Sequence, residues 1–455
     1  MACEGCFDKQ IKIDKLEKRI VHLEYKLRRQ ELRNREGYFG SSAPSSKVPI
    51  KENSKKSSDK GGAKNGHEGH GRKSIGGDEA DRIEHLTLGK ERCPDCGGEL
   101  KNKGIVERTV VEKVPVKVEK VLYECEKKWC PKCKKAIQMK PEVLPKPLYG
   151  NQLIASVATM HYVHGIPIGR IESILGNKIN TGSLFDTLHR VGGIWKPAIE
   201  ELIKDYKVSP VKHADETGWR NDGQSGYSWL FCDKKTSIFR FEDNRPGRVP
   251  AEIFGKGKLP GVLVVDRYGG YNKMPCKIQY CYAHLLRKVE DLGKQFGEEE
   301  GVTCFVGTFA PVLAEAMHLR NQSISDKEYY KKAAIIKQKI LGIINFPARD
   351  PGIKEIQAIF KENEKRLYHW VTDRNVPAEN NRAERELRPT VIARKVSFGS
   401  QSKKGAETRS ILMAILHTAQ KRLKNQTIED WLKNALDKIV VNACIDPYSL
   451  LPVSG

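Results

Sequence analysis

Residues 261–266 read Gly-Val-Leu-Val-Val-Asp, an unbroken apolar run that ends on an acid. A strand that is apolar at every position is buried on both faces, which puts it in the middle of a helix-covered sheet. That run alone commits the chain to a mixed α/β core. A carboxylate at the end of such a strand is costly to bury without a partner, so Asp266 predicts a charged group or a cation beside it. The preceding segment offers the partner. An expected strand over 206–214 ends in His213-Ala214-Asp215, and two acids converging at adjacent strand ends make a divalent-cation site. Either Asp alone would read as a turn or cap residue. Period-two alternation sends Glu216 to the opposite side from Asp215.

The surrounding pattern extends the sheet. Segments 227–232 and 237–241 read as strands joined by the turn Asp233-Lys-Lys-Thr. Residues 247–254 read as a helix and 277–281 as a short strand, followed by a helix from Ala283. Strand, hairpin strands, helix, strand, strand, helix is the order of an RNase H-like fold. A third acid is expected later. Glu379, Glu384 and Glu386 lie in one short stretch at a helix start, with Asn380 or Asn381 as cap. Glu384 falls in the first or second turn, with Arg385 and Arg388 near enough to meet phosphates. An ordinary charged helix, with Glu384 pairing Arg388, accounts for the same composition.

Twelve cysteines include Cys93-Pro-Asp-Cys96 and Cys130-Pro-Lys-Cys133. In a reducing compartment, paired C-x-x-C motifs point to metal rather than disulfides. Residues 105–123 alternate like a β-hairpin between the two knuckles, which is the shape of a zinc ribbon with four thiolates closing a structural Zn²⁺ site. Cys125 could replace one ligand, and Cys3 with Cys6 make a third pair. Cys281 and His284 form a C-x-x-H, which either braces the acids or contacts DNA, or else is a buried cysteine beside a satisfied core histidine. No other ligand pair has the spacing for a second zinc.

The formal charge of +23, from 80 Lys and Arg against 57 Asp and Glu, calls for a polyanionic partner, nucleic acid first. No apolar run approaches the roughly 18–20 residues that span a bilayer. Residues 1–9 carry no signal-peptide pattern, so a cytoplasmic protein is expected. Ile13, Leu16, Ile20, Leu23 and Leu27 form an a/d seam on a helix over 11–35. That seam serves a short dimerising coiled coil or packs on its own protein. Residues 41–80 form a linker too polar to order itself. It carries seven basic and three acidic residues between 51 and 73, and either tracks phosphates or is a solvated tether. Residues 150–204 look helical, with a turn at 176–180 and Thr181 as cap of the next helix. This fits a helix-turn-helix or an equally plausible structural bundle.

The matching residues then point to a family. They are Tyr38-Phe-Gly-Ser-Ser, Gly66-His-Glu-Gly-His70, the cysteine knuckles, Asp215-Glu-Thr-Gly-Trp219, Asp266-Arg-Tyr-Gly-Gly-Tyr271, Cys281-Tyr-Ala-His284, Asn380-Asn-Arg-Ala-Glu-Arg385 and Thr427-Ile-Glu-Asp-Trp-Leu432. With these the chain resembles the DDE transposases of the insertion sequence 66 family, from about residue 38 to the C-terminus. Arg267 and Leu286 depart from the pattern without touching the acids.

The resemblance implies that Asp215, Asp266 and Glu384 hold two Mg²⁺ or Mn²⁺ ions. It also implies helices inserted between the second Asp and the Glu, DNA ends and target as substrates, and assembly on DNA as a dimer or higher oligomer, with accessory proteins from the same element as further partners. The expected organisation is a coiled-coil helix (1–37), basic linker (38–88), zinc-ribbon module (89–145), HTH-like helical region (146–204), RNase H-like core (205–284), helical insertion (285–372), core segment with the third acid (373–424) and C-terminal tail (425–455). A zinc-containing DNA-binding regulator, or an RNase H-like nuclease without strand transfer, remains the alternative.

Overall fold

The computed structural model describes residues 118–132, 135–138, 141–145, 149–176 and 179–453, together with residues 92, 96 and 99 and ten helical positions between 12 and 27. The chain divides into two units, residues 1–49 with 120–455 and residues 50–119. In the second unit, Arg92 and Glu99 form an antiparallel bridge across the first cysteine knuckle. In the first, β1 (Lys127–Cys130) and β2 (Lys135–Gln138) pair antiparallel across the second. Residues 118–126 have no regular structure, and the rest of the hairpin expected at 105–123 lies outside the described residues. So do Cys3, Cys6, Cys93 and Cys133 and the side chain of Cys130, whereas Cys96 is exposed and Cys125 partly buried.

The central sheet is mixed and has five strands: β3 (Val211–Asn221), β4 (Gln224–Cys232), β5 (Ser237–Glu242), β6 (Val262–Val265) and β7 (Lys277–Tyr280). Their order is β5-β4-β3-β6-β7. The first three pair antiparallel with one another, while β6 lies parallel to both β3 and β7. All four residues of β6 are buried, as a two-sided apolar run requires. The expected 206–214 strand is displaced, because Tyr206 belongs to a helix and β3 starts at Val211. The strand also runs on to Asn221. Asp222 and Gly223, with φ of 50° and 73°, close a two-residue hairpin that carries β3 and β4 beyond the reach of β6. Pairing of β3 with β6 covers only Val211–His213. Asp215 therefore lies mid-strand, yet beside the end of β6.

Before the sheet come α1 (Asn151–Ala158), one π turn (Thr159–Val163), α2 (Ile168–Ile174), α3 (Thr181–Trp195) and α4 (Ala198–Val208). Asn180, not Thr181, caps α3, its side chain accepting from Ser183 N–H at 3.1 Å. The residue before the helix is the one whose extended backbone can aim its oxygen at the third N–H. Helix α3 buries Leu184, Leu188, Val191 and Trp195, and Gly192 allows a close approach to Thr408. After β5 comes α5 (Arg248–Phe254), as its sequence predicts.

Following β7, the chain forms α6 (Tyr282–Phe296), α7 (Glu300–Leu319), α8 (Asp326–Asn345), α9 (Pro351–Glu362) and α10 (His369–Thr372) before returning to the sheet. These are the helices expected between Asp266 and Glu384. By length and composition α7 is apolar enough to cross a membrane, contrary to the reading of the sequence as having no such run. Its apolar side, Val302, Phe309, Leu313 and Leu319, is buried, and α7 packs between α6 and α8.

Two further helices complete the core. Helix α11 (Asn381–Ser397) crosses β3 and β4, and α12 (Lys403–Arg422) lies along the edge strand β5. There Thr418 Oγ1 bonds both N–H and C=O of Ser237, covering an edge otherwise open to pairing. The tail helix α13 (Ile428–Val441) is part of the helical layer. Its Asp437 and Glu429 accept from Asn151, Gln152 and Ser156 of α1.

Candidate active site

Three chain segments meet where β3 loses β6 as a neighbour. Asp215 stands on β3 opposite Leu230 of β4. Asp266 follows the last residue of β6 and is 7% exposed. Its Oδ1 accepts from Tyr268 N–H at 2.8 Å, which fixes the turn after the strand. Gly270 is required in that turn, since a Cβ there would lie 2.3 Å from the Tyr268 ring. Beyond β7, Cys281 N–H donates to Val265 C=O and Tyr282 N–H to Ala378 C=O, each at 2.8 Å. The first bond sets the C-x-x-H turn beside Asp266, and the second pins the segment leading into α11.

Asn380 fastens that segment to β3. It occupies the N-cap position of α11 but makes no side-chain cap bond. Its Nδ2 instead donates to Ala214 C=O (2.8 Å), and its Oδ1 accepts from His213 Nδ1 (2.8 Å). Its backbone N–H donates to Cys281 Sγ (3.1 Å). Asn380 is fully buried, so strand-to-helix bonds at this depth outweigh a cap bond water could replace. Burial holds His213 near 3, hence neutral, with the Nδ1 proton directed at Asn380. Glu384 follows one turn on, in the first turn of α11.

Burial pushes the Asp215 carboxyl well above the ordinary carboxylate range, and the nearby charges of Glu216, Asp266 and Glu384 add to the effect. The three sequence-predicted acids therefore share one buried locus, joined by a fourth. Alternation does give Glu216 a separate environment, but not a remote one. Its carboxylate accepts from Arg245 and Tyr271, and the same Arg245 Nη2 lies 3.7 Å from Asp266 Oδ2. With β6 finished, no strand separates the two sides here. Burial, then Asp266, pushes Glu216 to about 7, against the pull of Arg245 and Tyr271. The Arg245 guanidinium also stacks 3.7 Å from the centroid of Tyr268. Arg245 meets Glu216 and Asp266, and the all-oxygen donor set of the carboxylates suits a hard divalent cation such as Mg²⁺.

Cys281 Sγ, a ring nitrogen of His284 and a Glu384 oxygen all lie within 4.8 Å of one another. Sequence spacing identified the pair, while the third member, 100 residues on, came only with the fold. Arg385, Arg388 and Asn381 are exposed on α11. Glu386 turns away, accepting from Ser237 Oγ and pairing with Lys421.

The family described as "Transposase IS66 family" matches residues 146–408, which contain all three acids, Arg245 and Asn380. The chain belongs to the IS66 transposase family. A second match, to the "zinc-finger binding domain of transposase IS66", covers residues 90–134 and supports structural zinc in this transposase. Relatives include two uncharacterized proteins of Sinorhizobium fredii. One, y4jD, is 23% identical over 394 residues, covering 76% of this chain and 74% of its own length. The other, y4qI, is 22% identical over 329 residues, covering 64% and 59%.

In this IS66 transposase one residue bonded to the acids escaped sequence reasoning, and a supporting residue it did name has another contact than expected. Arg245 sits in a loop, where no spacing rule ties it to acids on either side. The role of Asn380 as a latch was masked by its plausible role as a cap.

Proposed function

We propose that this transposase cleaves the ends of its insertion sequence and joins the freed 3′-OH to target DNA, with Asp215, Asp266 and Glu384 as the catalytic carboxylates. The observation that carries this reading is the convergence of three acids from three separate segments on one buried locus. The strand order β5-β4-β3-β6-β7, with one antiparallel half and one parallel half, supports an RNase H-like core. Bound at these carboxylates, two Mg²⁺ or Mn²⁺ ions would supply Lewis-acid activation of the nucleophile and charge stabilisation on the leaving oxygen. Asp215 and Asp266 hold fixed positions on the sheet, and Glu384 closes the set from α11. Arg245 binds Glu216 and so keeps Asp266 from carrying the whole charge repulsion of the group. Exposed Arg385 and Arg388 meet phosphates, and the +23 charge favours the DNA polyanion throughout.

Water attacks first, and the 3′-OH it frees then attacks target DNA in the same site. Cys93, Cys96, Cys130 and Cys133 are the proposed zinc ligands, on spacing and the zinc-finger match. The N-terminal seam is the proposed dimer contact.

The test is Asp215→Ala in the full chain. End cleavage should vanish, and a gel shift on element ends at fixed salt should move by about twofold or less. Equal loss of binding and cleavage would make Asp215 structural. Parent protein that cleaves ends but never joins them would be a nuclease.

A further inference from the structure

We propose that Cys281, His284 and Glu384 form a second cation site, selective for a thiophilic divalent ion of the zinc class, which withdraws Glu384 from catalysis when filled. The inhibitory half rests on the reading of Glu384 as the third catalytic acid. The three ligand atoms already lie within 4.8 Å of one another, against separations of about 3.3–3.8 Å around a tetrahedral Zn²⁺. Side-chain adjustment of roughly an ångström closes the difference. One thiolate, one imidazole and one carboxylate make a borderline-soft donor set, which selects Zn²⁺ or Co²⁺ over Mg²⁺.

Two further observations point to an ion. Cys281 is the N-cap residue of α6. Its Sγ receives the backbone N–H of Asn380 at 3.1 Å. A backbone donor on sulfur that stands at a helix N-terminus favours the anionic form. Secondly, His284 Nδ1 is buried with no hydrogen-bond partner. A buried polar atom of that kind is costly unless an ion or water serves it. The site differs from the cysteine-knuckle zinc in its ligands, and from the proposed Mg²⁺ site in donor chemistry. Glu384 is the one ligand this site shares with the proposed Mg²⁺ site, so those two occupancies compete.

The experiment uses the full chain, stripped by chelator and titrated with Zn²⁺. The parent should bind two ions per chain, and Cys281→Ser and His284→Gln one each. Cys93→Ser should keep the Cys281 ion while losing the other. With Co²⁺, Cys93→Ser should show a weak single-thiolate charge-transfer band that disappears when Cys281→Ser is added. One zinc in the parent, or two in both Cys281→Ser and His284→Gln, overturns the site. Because Cys281 is buried, the half-buried His284→Gln guards against loss through misfolding and must lose the same ion.

Cleavage with Mg²⁺ supplies the second arm, each protein scored against its own zinc-free rate. Two added equivalents of Zn²⁺, enough to fill both sites, should inhibit the parent at least tenfold and leave His284→Gln within twofold. A parent that fills both sites yet cleaves at its zinc-free rate would remove Glu384 from the catalytic set, overturning the competition while leaving the zinc site standing.

Discussion

On α11, two glutamates two residues apart meet different chemistry. Successive residues turn by about 100° on a helix, so Glu384 reaches the acids while Glu386 accepts from Ser237 Oγ at 2.9 Å and pairs with Lys421 Nζ at 2.8 Å. Glu384→Gln should therefore lower cleavage and strand transfer by about 10²-fold or more, the effect of losing about 3 kcal/mol of metal-borne stabilisation. Glu386→Gln should keep its chemistry and lose about 1–3 kcal/mol of stability. Cleavage across a Mn²⁺ series, with a thermal melt for each variant, separates the two; a dead Glu386→Gln beside an active Glu384→Gln would reassign the third ligand. The same locus sets a pH dependence. Glu216 has its pKa raised from 4.5 to about 7 by burial and by Asp266. Between those values the folded state holds a proton that the unfolded state has released. Metal-free stability from this group is thus present below 4.5 and is lost as pH rises through 7. A divalent cation neutralises the charge that burial penalises. The Mg²⁺-induced rise in Tm should accordingly be larger at pH 8 than at pH 5, and an equal rise at both would disconnect the carboxylates from the cation.

At the scale of elements, the site is a matter of where one strand stops and how one helix is tied. Because β6 ends at Val265 while β3 runs on to Asn221, Asp215, Glu216 and Asp266 share an open notch. Asn380 then sets the distance of α11 from β3 through His213 and Ala214. Asn380→Ala should let α11 shift. It would raise the Mn²⁺ concentration needed for half-maximal cleavage by roughly tenfold, for about 1.4 kcal/mol of lost preorganisation, with DNA affinity unchanged. Recovery of the rate at high Mn²⁺ distinguishes mispositioning from unfolding, which metal would not rescue in that graded way. Parts of this were legible in the residues. The run 261–266 gave its strand, Asp233–Thr236 its turn, and 247–254 its helix, because period and turn chemistry are local. The start of β3 was misread because the end of α4 and the strand share alternating apolar residues around Tyr206. The Asp222-Gly223 dipeptide, a strong hairpin signal, is what lengthens the strand. Arg245, the Asn380 latch and the Cys281–His284–Glu384 cluster depend on contacts across tens of residues or more, where periodicity carries no information.

For the whole molecule, the proposed reaction requires two element ends to be held against one target, which favours more than one chain. The described positions of the N-terminal helix leave Ile13, Leu16, Ile20, Leu23 and Leu27 between 46% and 62% exposed. A seam of five half-exposed apolar residues has about 0.7–1.5 kcal/mol per residue to gain by full burial, half the value for a fully exposed side chain. A partner seam supplies that burial in a coiled coil, where each a/d residue enters a hole on the facing helix. Leu16→Glu with Leu23→Glu puts two like charges at that contact. The double variant should sediment as a monomer at micromolar concentration where the parent sediments as a dimer. Hydrolysis at a single end, which needs only one set of Asp215, Asp266 and Glu384, should continue. Joining of paired ends should fall by an order of magnitude or more, since the second end loses the local concentration that a tether provides. A parent that is already monomeric on sedimentation would mean the seam packs on its own chain. A monomeric variant that still joins paired ends at the parent rate would move the dimer contact to another surface.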